Sequence, residues 1–560
     1  VRLFVLLIWV TLGCSSVAAQ YAPPLRGPLL ITGTFGELRS NHFHGGLDFR
    51  GPVGTPVYAV NDGYVSRIVV KGGGYGQAIY LDHPDGKRSV YGHLESLAPE
   101  LKDTIRALQY TREQFAQDVN FDETAFPVSR GQQIGTVGNR GFSFGPHLHF
   151  EIREAAGDVP LNPMSLGYPI SDTRPPVLQQ LRVYGIDRGE ERRVRTYRLE
   201  DLPDTVFVGL PEATFAVKAF DRQNAMPNRN GIYGASLEVD GETAFAFRYD
   251  RIPYDKTEYL NALTDYADWR QNASWFYRLS ASVPEAMFWL PGVDSTSSRG
   301  YVNVQQGHSR QIAIRLTDRA GNETVANFVL AFRKVEEAGR TRAPAPRTTH
   351  YWLPADQPSI IDTGDLRLEI PAGSLYGPID LSYTRLPDTS SDLLSDSHLI
   401  GDPMVPLHGR ATLSLRPRAP IPDSLWGKVY VGRCGADRHR SVGGQWEPDG
   451  SMRTRIGSFG NYALVLDTVP PGVRIERFPT DLRRKSGFSL LIGEESGGGL
   501  RFRGTVDGQW VLMEYDAKSG RLAHRFSDGP LRPNGTRRQF ELRVVDDRGN
   551  VASFSRRFLY

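Results

Sequence analysis

From about Leu29 to Val137 the chain is a succession of short runs of β character, each closed by Gly, Asp or Pro. Residues 57–60, 63–70, 78–83, 90–94 and 134–137 are such runs, and Pro84-Asp85-Gly86 stands between two of them as a turn signal. Runs this short pair with their sequence neighbours through hairpins, so the pattern predicts a compact antiparallel sheet. One segment departs from it. Leu97, Leu101, Ile105 and Leu108 follow a helical spacing and predict a helix over 96–116, ahead of an irregular acidic stretch at 118–124. That helix is expected either as filler or as a wall of a cleft between two strands.

A chain of 560 residues exceeds what one core can hold, and three or four domains are expected. Hydrophobic residues make up 40% and charged residues 23%, a globular balance with no signature of disorder. The 58 Gly and 38 Pro fit many strands joined by tight turns. Net charge is +3 with both signs spread along the chain, so no basic face for nucleic acid is expected. The predicted class is mainly β: an antiparallel-sheet domain with an inserted helix, followed by several β-sandwich-like domains.

The first residues have the pattern of an export signal. Val1-Arg2 precedes an apolar run at 3–12, too short to span a bilayer, and small residues at 15–19 permit cleavage after Ala19. A first residue of Val points to an alternative start codon or a trimmed terminus. An uncleaved anchor is one alternative. Lipidation of Cys14 is another, because Leu12-Gly13-Cys14 partly matches a bacterial lipobox, with Thr11 where an aliphatic residue is expected. No later stretch is apolar enough for a transmembrane helix. The expected location is outside the cytoplasm, in the periplasm or cell envelope. Of two cysteines, Cys14 and Cys434, only the second remains after cleavage, which leaves no internal disulfide. Cys434 is read as a small buried apolar residue rather than a nucleophile.

The chemistry concentrates at Gly145-Pro146-His147-Leu148-His149-Phe150-Glu151-Ile152. On a strand, His147 and His149 share one face while Leu148 and Phe150 share the other. Alone, a His-x-His strand is more often half-buried with two exposed polar positions. Here half of the twelve histidines lie between His42 and His149, and His44 stands four residues before Asp48. With His149 these form a two-His, one-carboxylate set suited to zinc, and three protein ligands leave a fourth position for water. His93 and His147 are then free to flank that water. Spacing alone leaves His42 open as an alternative to His44 and does not place His83.

Three ordered motifs sharpen this. His44-Gly45-Gly46-Leu47-Asp48, Tyr91-Gly92-His93-Leu94 and Gly145-Pro146-His147-Leu148-His149-Phe150-Glu151 make residues 30–165 resemble the lysostaphin-type zinc metalloendopeptidases of bacterial cell walls. The resemblance implies one Zn2+ per chain held by His44, Asp48 and His149, with His93 and His147 catalytic. His42 and His83 are not carried over and are expected to be structural or superficial. The implied substrate is the peptide part of peptidoglycan, at glycine bridges or D-amino-acid cross-links. One of His93 and His147 would accept the proton of water and the other would steady the oxyanion or protonate the leaving amine. The insertion between His93 and His147 sets the chain apart from compact members. Two other readings stand beside this one: an envelope scaffold or activator of other wall hydrolases, and a zinc protease acting on proteins.

The expected organisation is a signal at 1–19, a peptidase domain at 20–170, a β domain at 172–335 with an insertion near 250–300, a linker at 336–349, a β-rich domain at 350–466 and a last β domain at 467–560. Asp172-Thr173-Arg174-Pro175-Pro176 recurs as Asp467-Thr468-Val469-Pro470-Pro471, and Asp318-Arg319-Ala320-Gly321-Asn322 recurs as Asp546-Asp547-Arg548-Gly549-Asn550. This bracketing resembles bacterial immunoglobulin-like modules. The Asp-Asn segments are read as turns in preference to calcium sites. The 350–466 unit carries no motif that points to a function.

Overall fold

The computed structural model describes residues 21–187, 190–281, 298–305, 307–333, 348–387, 392–435 and 438–560. The expected export segment with Cys14, most of the linker, and 282–297 of the expected insertion lie outside the described residues.

The N-terminal domain is built from β1 (Ile31–Gly33), β2 (Leu47–Arg50), β3 (Pro56–Tyr58), β4 (Gly63–Val70), β5 (Gln77–Asp82), β6 (Lys87–Gly92) and β7 (Leu94–Leu97). Then come α1 (Pro99–Arg112), β8 (Gln117–Asn120), β9 (Pro127–Val128), β10 (Gln133–Val137), β11 (His147–Glu154) and β12 (Val159–Leu161). Seven strands run in the order β1-β2-β11-β6-β5-β4-β8, with β12 added on β11 and β9 on β4. Strands β3, β10 and β7 form a small second sheet. Every pairing in both sheets is antiparallel. Leu148 and Phe150 of β11 are fully buried and Phe150 packs on Tyr91 and Phe49. Each such side chain contributes roughly 1.5–3 kcal/mol, which pins β11 in the middle of the sheet with its other face free for chemistry.

The helix is shorter than its periodicity predicts. Leu97 ends β7, and α1 starts at Pro99, whose missing N–H costs nothing at a first turn. It stops where Glu113 turns left-handed (φ 48°) and donates its N–H to Gln109 and Tyr110 carbonyls. Leu101, Ile105 and Gln109, four apart, are its buried side. The acidic stretch after it contains β8, which pairs with β4 through Val119 opposite Ile68.

Three β-sandwich-like units follow. Strands between 177 and 332 form two five-stranded sheets, closed on each other by Phe215 against Phe328. Thr205–Val208 runs parallel to Glu323–Phe332 and the other pairings are antiparallel. A six-stranded and a five-stranded sheet between 349 and 466 enclose Leu368, Leu413, Val431 and Leu464. Two four-stranded sheets between 472 and 559 enclose Phe478, Phe488, Phe540 and Phe558. Asp318–Asn322 and Asp546–Asn550 sit in the turns of the last hairpins of the first and third units. Cys434 is half-buried against Tyr430 and Val465. No helix among the described residues is long and apolar enough to cross a membrane.

Candidate active site

Register assembles the site. His149 on β11 lies directly opposite Asp48 on β2 and opposite Gly92 on β6, the residue before His93. Directly opposed residues bring their side chains within contact. His44 enters from the loop before β2, and Gly46 lets that loop press on β11. A Cβ at Gly46 would stand 2.3 Å from the Phe150 carbonyl oxygen. His93 follows β6 with φ 60°, an uncommon conformation for a residue other than glycine, here at the centre of the site.

Asp48 Oδ1 lies 3.1 Å from His44 Nε2, 2.9 Å from His149 Nδ1 and 3.4 Å from His147 Nε2. His44 Nε2 and His149 Nδ1 are 3.0 Å apart. The outer nitrogens show which lone pairs face inward. His44 Nδ1 donates to the Thr34 carbonyl at 2.8 Å. His149 Nε2 donates to Glu151 Oε1 at 2.7 Å. In their neutral tautomers, both rings therefore aim lone pairs at the carboxylate oxygen. As neutral rings the two imidazoles and the carboxylate turn three acceptors to one point, a donor set that fits zinc; without a metal, protons on the rings bridge them to Asp48 instead. His44, Asp48 and His149 are all buried.

The electrostatics describe the metal-free state. Burial alone would raise the Asp48 pKa, but the charge of His44 and hydrogen bonds from His147, His149 and His44 hold it well below the ordinary carboxylate range. Burial opposes charge on His149, yet Asp48 and Glu151 push its pKa up to about 9. Burial, with the His149 and His147 rings, holds His93 down to about 3. His93 Nδ1 donates to the Arg140 carbonyl at 2.7 Å and His147 Nδ1 to the Gly145 carbonyl at 2.8 Å. The two rings pack edge to face, 4.8 Å between centroids, with each Nε2 left unbound by its own loop.

All five residues singled out from sequence thus come together. His42 is exposed and bonds its neighbour Asn41. His83 is buried between the Asp62 carbonyl and Ser89 Oγ. A supporting layer was not foreseen. Glu151, fully buried, accepts from His149, Tyr75 and, at 2.7 Å, Arg153 Nε. Tyr254, from the second unit, donates to the same carboxylate at 2.8 Å. Arg39 Nη2 reaches the second oxygen of Asp48 at 3.3 Å. Glu151 and Arg153 were within reach of the alternation that put His147 and His149 on one face. Tyr254, 103 residues from Glu151, left no signal. The loop at 139–146 walls the site and presents Phe142 and Phe144 to solvent.

Residues 42–110 and 118–163 match the profile of peptidase family M23. The chain carries an M23 peptidase domain. Residues 350–467 match a Zu5-like domain. Over 132 residues the chain is 33% identical to the DD-carboxypeptidase/endopeptidase Mpg of Neisseria meningitidis serogroup B, covering 24% of each protein. Over 133 residues it is 30% identical to the peptidoglycan DD-endopeptidase ShyA of Vibrio cholerae, covering 24% of this chain and 25% of that protein. The catalytic domain of lysostaphin from Staphylococcus simulans is 26% identical over 25% of this chain and 92% of its own, with a TM-score of 0.18. The chain thus spans about a quarter of the length of these curated relatives.

Proposed function

We propose that the M23 domain is a zinc-dependent endopeptidase that cleaves D-amino-acid cross-links in the peptide part of bacterial peptidoglycan. The observation that carries this is the convergence of His44 Nε2, Asp48 Oδ1 and His149 Nδ1 on one point beside the His93–His147 pair. The relatives named as DD-endopeptidases support the choice of cross-link. An exported protein in the cell envelope, acting in wall remodelling, follows from that substrate.

His44, Asp48 and His149 would hold the metal. When bound, zinc acidifies a water molecule and polarises the scissile carbonyl. His93 and His147 divide the proton work. Each donates through Nδ1 to a backbone carbonyl, so each keeps Nε2 as the proton-accepting atom, and the carbonyl steadies the ring once it is charged. One accepts the water's proton at Nε2 and, charged by that proton, returns it from Nε2 to the leaving amine, while the other lies beside the developing oxyanion. Phe142 and Phe144 stand at the rim as contacts for the substrate chain.

The test compares the intact protein with His149→Ala for zinc content and for fragments released from purified peptidoglycan, identified by mass. One zinc per chain and DD-cleavage, both lost in the variant, are expected. Bound zinc with protein cleavage and intact peptidoglycan would replace the substrate. No zinc and no hydrolysis would leave a scaffold or activator role in its place.

A further inference from the structure

A second group of acids lies away from the zinc-type site. Asp172, Asp221 and Asp318 each direct a carboxylate oxygen to one place, all within 4.8 Å of one another. They line a small cavity of about 20 Å³ where the M23 domain meets the first sandwich unit, with Thr34 and Asn162 on the peptidase side. Asp221 and Asp318 are each 4% exposed. Among the described residues, no Lys, Arg or His nitrogen forms an ion pair with any of the three.

The remaining hydrogen bonds leave one of the three carboxylates unsatisfied. Asp172 Oδ1 accepts from Arg174 N. Both oxygens of Asp318 accept from Asn322. Asp221 Oδ1 is buried with no partner, although it belongs to the cluster and to the cavity wall. Asn230, bridged to Asp221 through both backbone hydrogen bonds, also has both amide atoms buried without partners. A lone acceptor buried among like charges is costly, and structures normally avoid it. Burial and the Asp172 carboxylate push the Asp221 pKa up to about 7, which marks how poorly the cluster tolerates its third charge.

The third sandwich unit holds the same arrangement with a different solution. Asp467 precedes its first strand as Asp172 does. Glu494 follows the strand that pairs with it, as Asp221 does, and Asp546–Asn550 forms the corresponding turn. Asn322 Nδ2 donates to the Asp172 carbonyl at 3.3 Å, and Asn550 Nδ2 donates to the Asp467 carbonyl at 3.1 Å. In the third unit, however, the Lys428 ammonium sits in the cluster, 2.5 Å from Asn550 Oδ1. The first unit has three carboxylates and no ammonium in that place.

We propose that Asp172, Asp221 and Asp318 bind one hard divalent cation of the calcium and magnesium class, at the junction of the M23 domain and the first sandwich unit. Oxygen donors alone, with no imidazole or thiolate, select such ions over zinc, and the irregular spacing of three carboxylates suits calcium better than the strict octahedron of magnesium. The bound ion neutralises the cluster and ties Asp172, at the entry to the unit, to the strand end at Asp221 and the turn that carries Asp318.

The experiment uses the full chain loaded with zinc and freed of other divalent ions by a chelating resin. Calcium chloride and, separately, magnesium chloride are titrated in by calorimetry, and thermal unfolding is followed at each concentration. Saturable binding of one calcium per chain and a rise of several degrees in the unfolding midpoint are expected. Asp221→Asn should lose both, while unfolding no lower than the cation-free wild type because the repulsion is gone. Asp172→Asn, at the most exposed ligand, keeps the test open if Asp221→Asn does not fold; it should weaken calcium binding roughly tenfold or more. His149→Ala should keep the calcium response, separating this site from the catalytic one. Tighter binding of magnesium than calcium would overturn the choice of ion. Absence of saturable binding of either ion, or equal binding by wild type and both Asn variants, would overturn the site and leave a shared proton as the occupant.

Discussion

At the scale of single residues, His149 is fixed by what lies behind it. Glu151 takes four donors, from His149, Tyr75, Arg153 and Tyr254, and its carboxylate stays ionised because Arg153 and His149 outweigh the burial. A carboxylate behind a metal-binding imidazole sets the tautomer and raises the ligand's basicity, and its loss typically costs 10- to 100-fold in metal affinity. Glu151→Gln is nearly isosteric and should lower zinc affinity by about that factor, measured by competition with a chromophoric chelator; unchanged affinity would make Glu151 a packing residue only. The same charges predict a pH dependence. With its pKa raised to about 9, His149 in metal-free protein carries a proton at lower pH, and zinc must displace it. Apparent zinc affinity should therefore fall about tenfold for each pH unit below about 9, until further groups protonate. A flat profile from pH 8 to pH 6 would contradict the assigned charge state.

At the scale of elements, the site was legible where local pattern and chemistry coincide. Strand alternation in β11 placed both of its histidines, while spacing left His42 and His44 as alternatives and only the resemblance of the three motifs singled out His44, Asp48 and His93. What local pattern does not carry is who stands next to whom across the sheet, so Arg39 and Tyr254 stayed hidden. Helix periodicity found α1 through Leu101 and Ile105, but it counted Leu97, which the small sheet claims through its pairing with Gly135. Nor did it show the partner of the helix. Arg106 reaches Asp528 at 3.1 Å and Tyr110 meets Trp510 edge to face, both in the third sandwich unit. The helix is thus a docking post for that unit. Ile105→Ala, a truncation at a position 3% exposed, should cost about 2–4 kcal/mol. Chemical denaturation would measure it, and a loss below about 0.5 kcal/mol would mean that the helix packs loosely.

On the scale of the whole molecule, the third unit returns to brace the catalytic wall. Glu514 lies among Arg140, Arg525 and Arg106, 3.4 Å from Arg140 Nη2. Lys518 donates to the Asn139 and Ser143 carbonyls. Arg140 is the residue whose carbonyl holds His93. Glu514→Gln should therefore lower turnover several-fold with zinc content unchanged, and amide exchange across 139–146 should quicken. Unaltered exchange in that loop would show that the M23 domain holds it unaided. The contact is rich in ion pairs, among them Arg525 with Glu95 and Arg503 with Glu113, so raised salt should loosen it in the same direction.

Thr34 joins these scales. Its carbonyl holds the His44 ring, and its hydroxyl donates at 3.1 Å to the carbonyl of Gly231 in the next unit. Tyr254, from that same unit, holds Glu151 and through it His149. Two of the three inward-facing side chains are thereby moored to a body outside the M23 domain. A pull on the downstream units does not stop at a passive hinge. Any displacement of that unit would reach both imidazole rings through these two chains of hydrogen bonds.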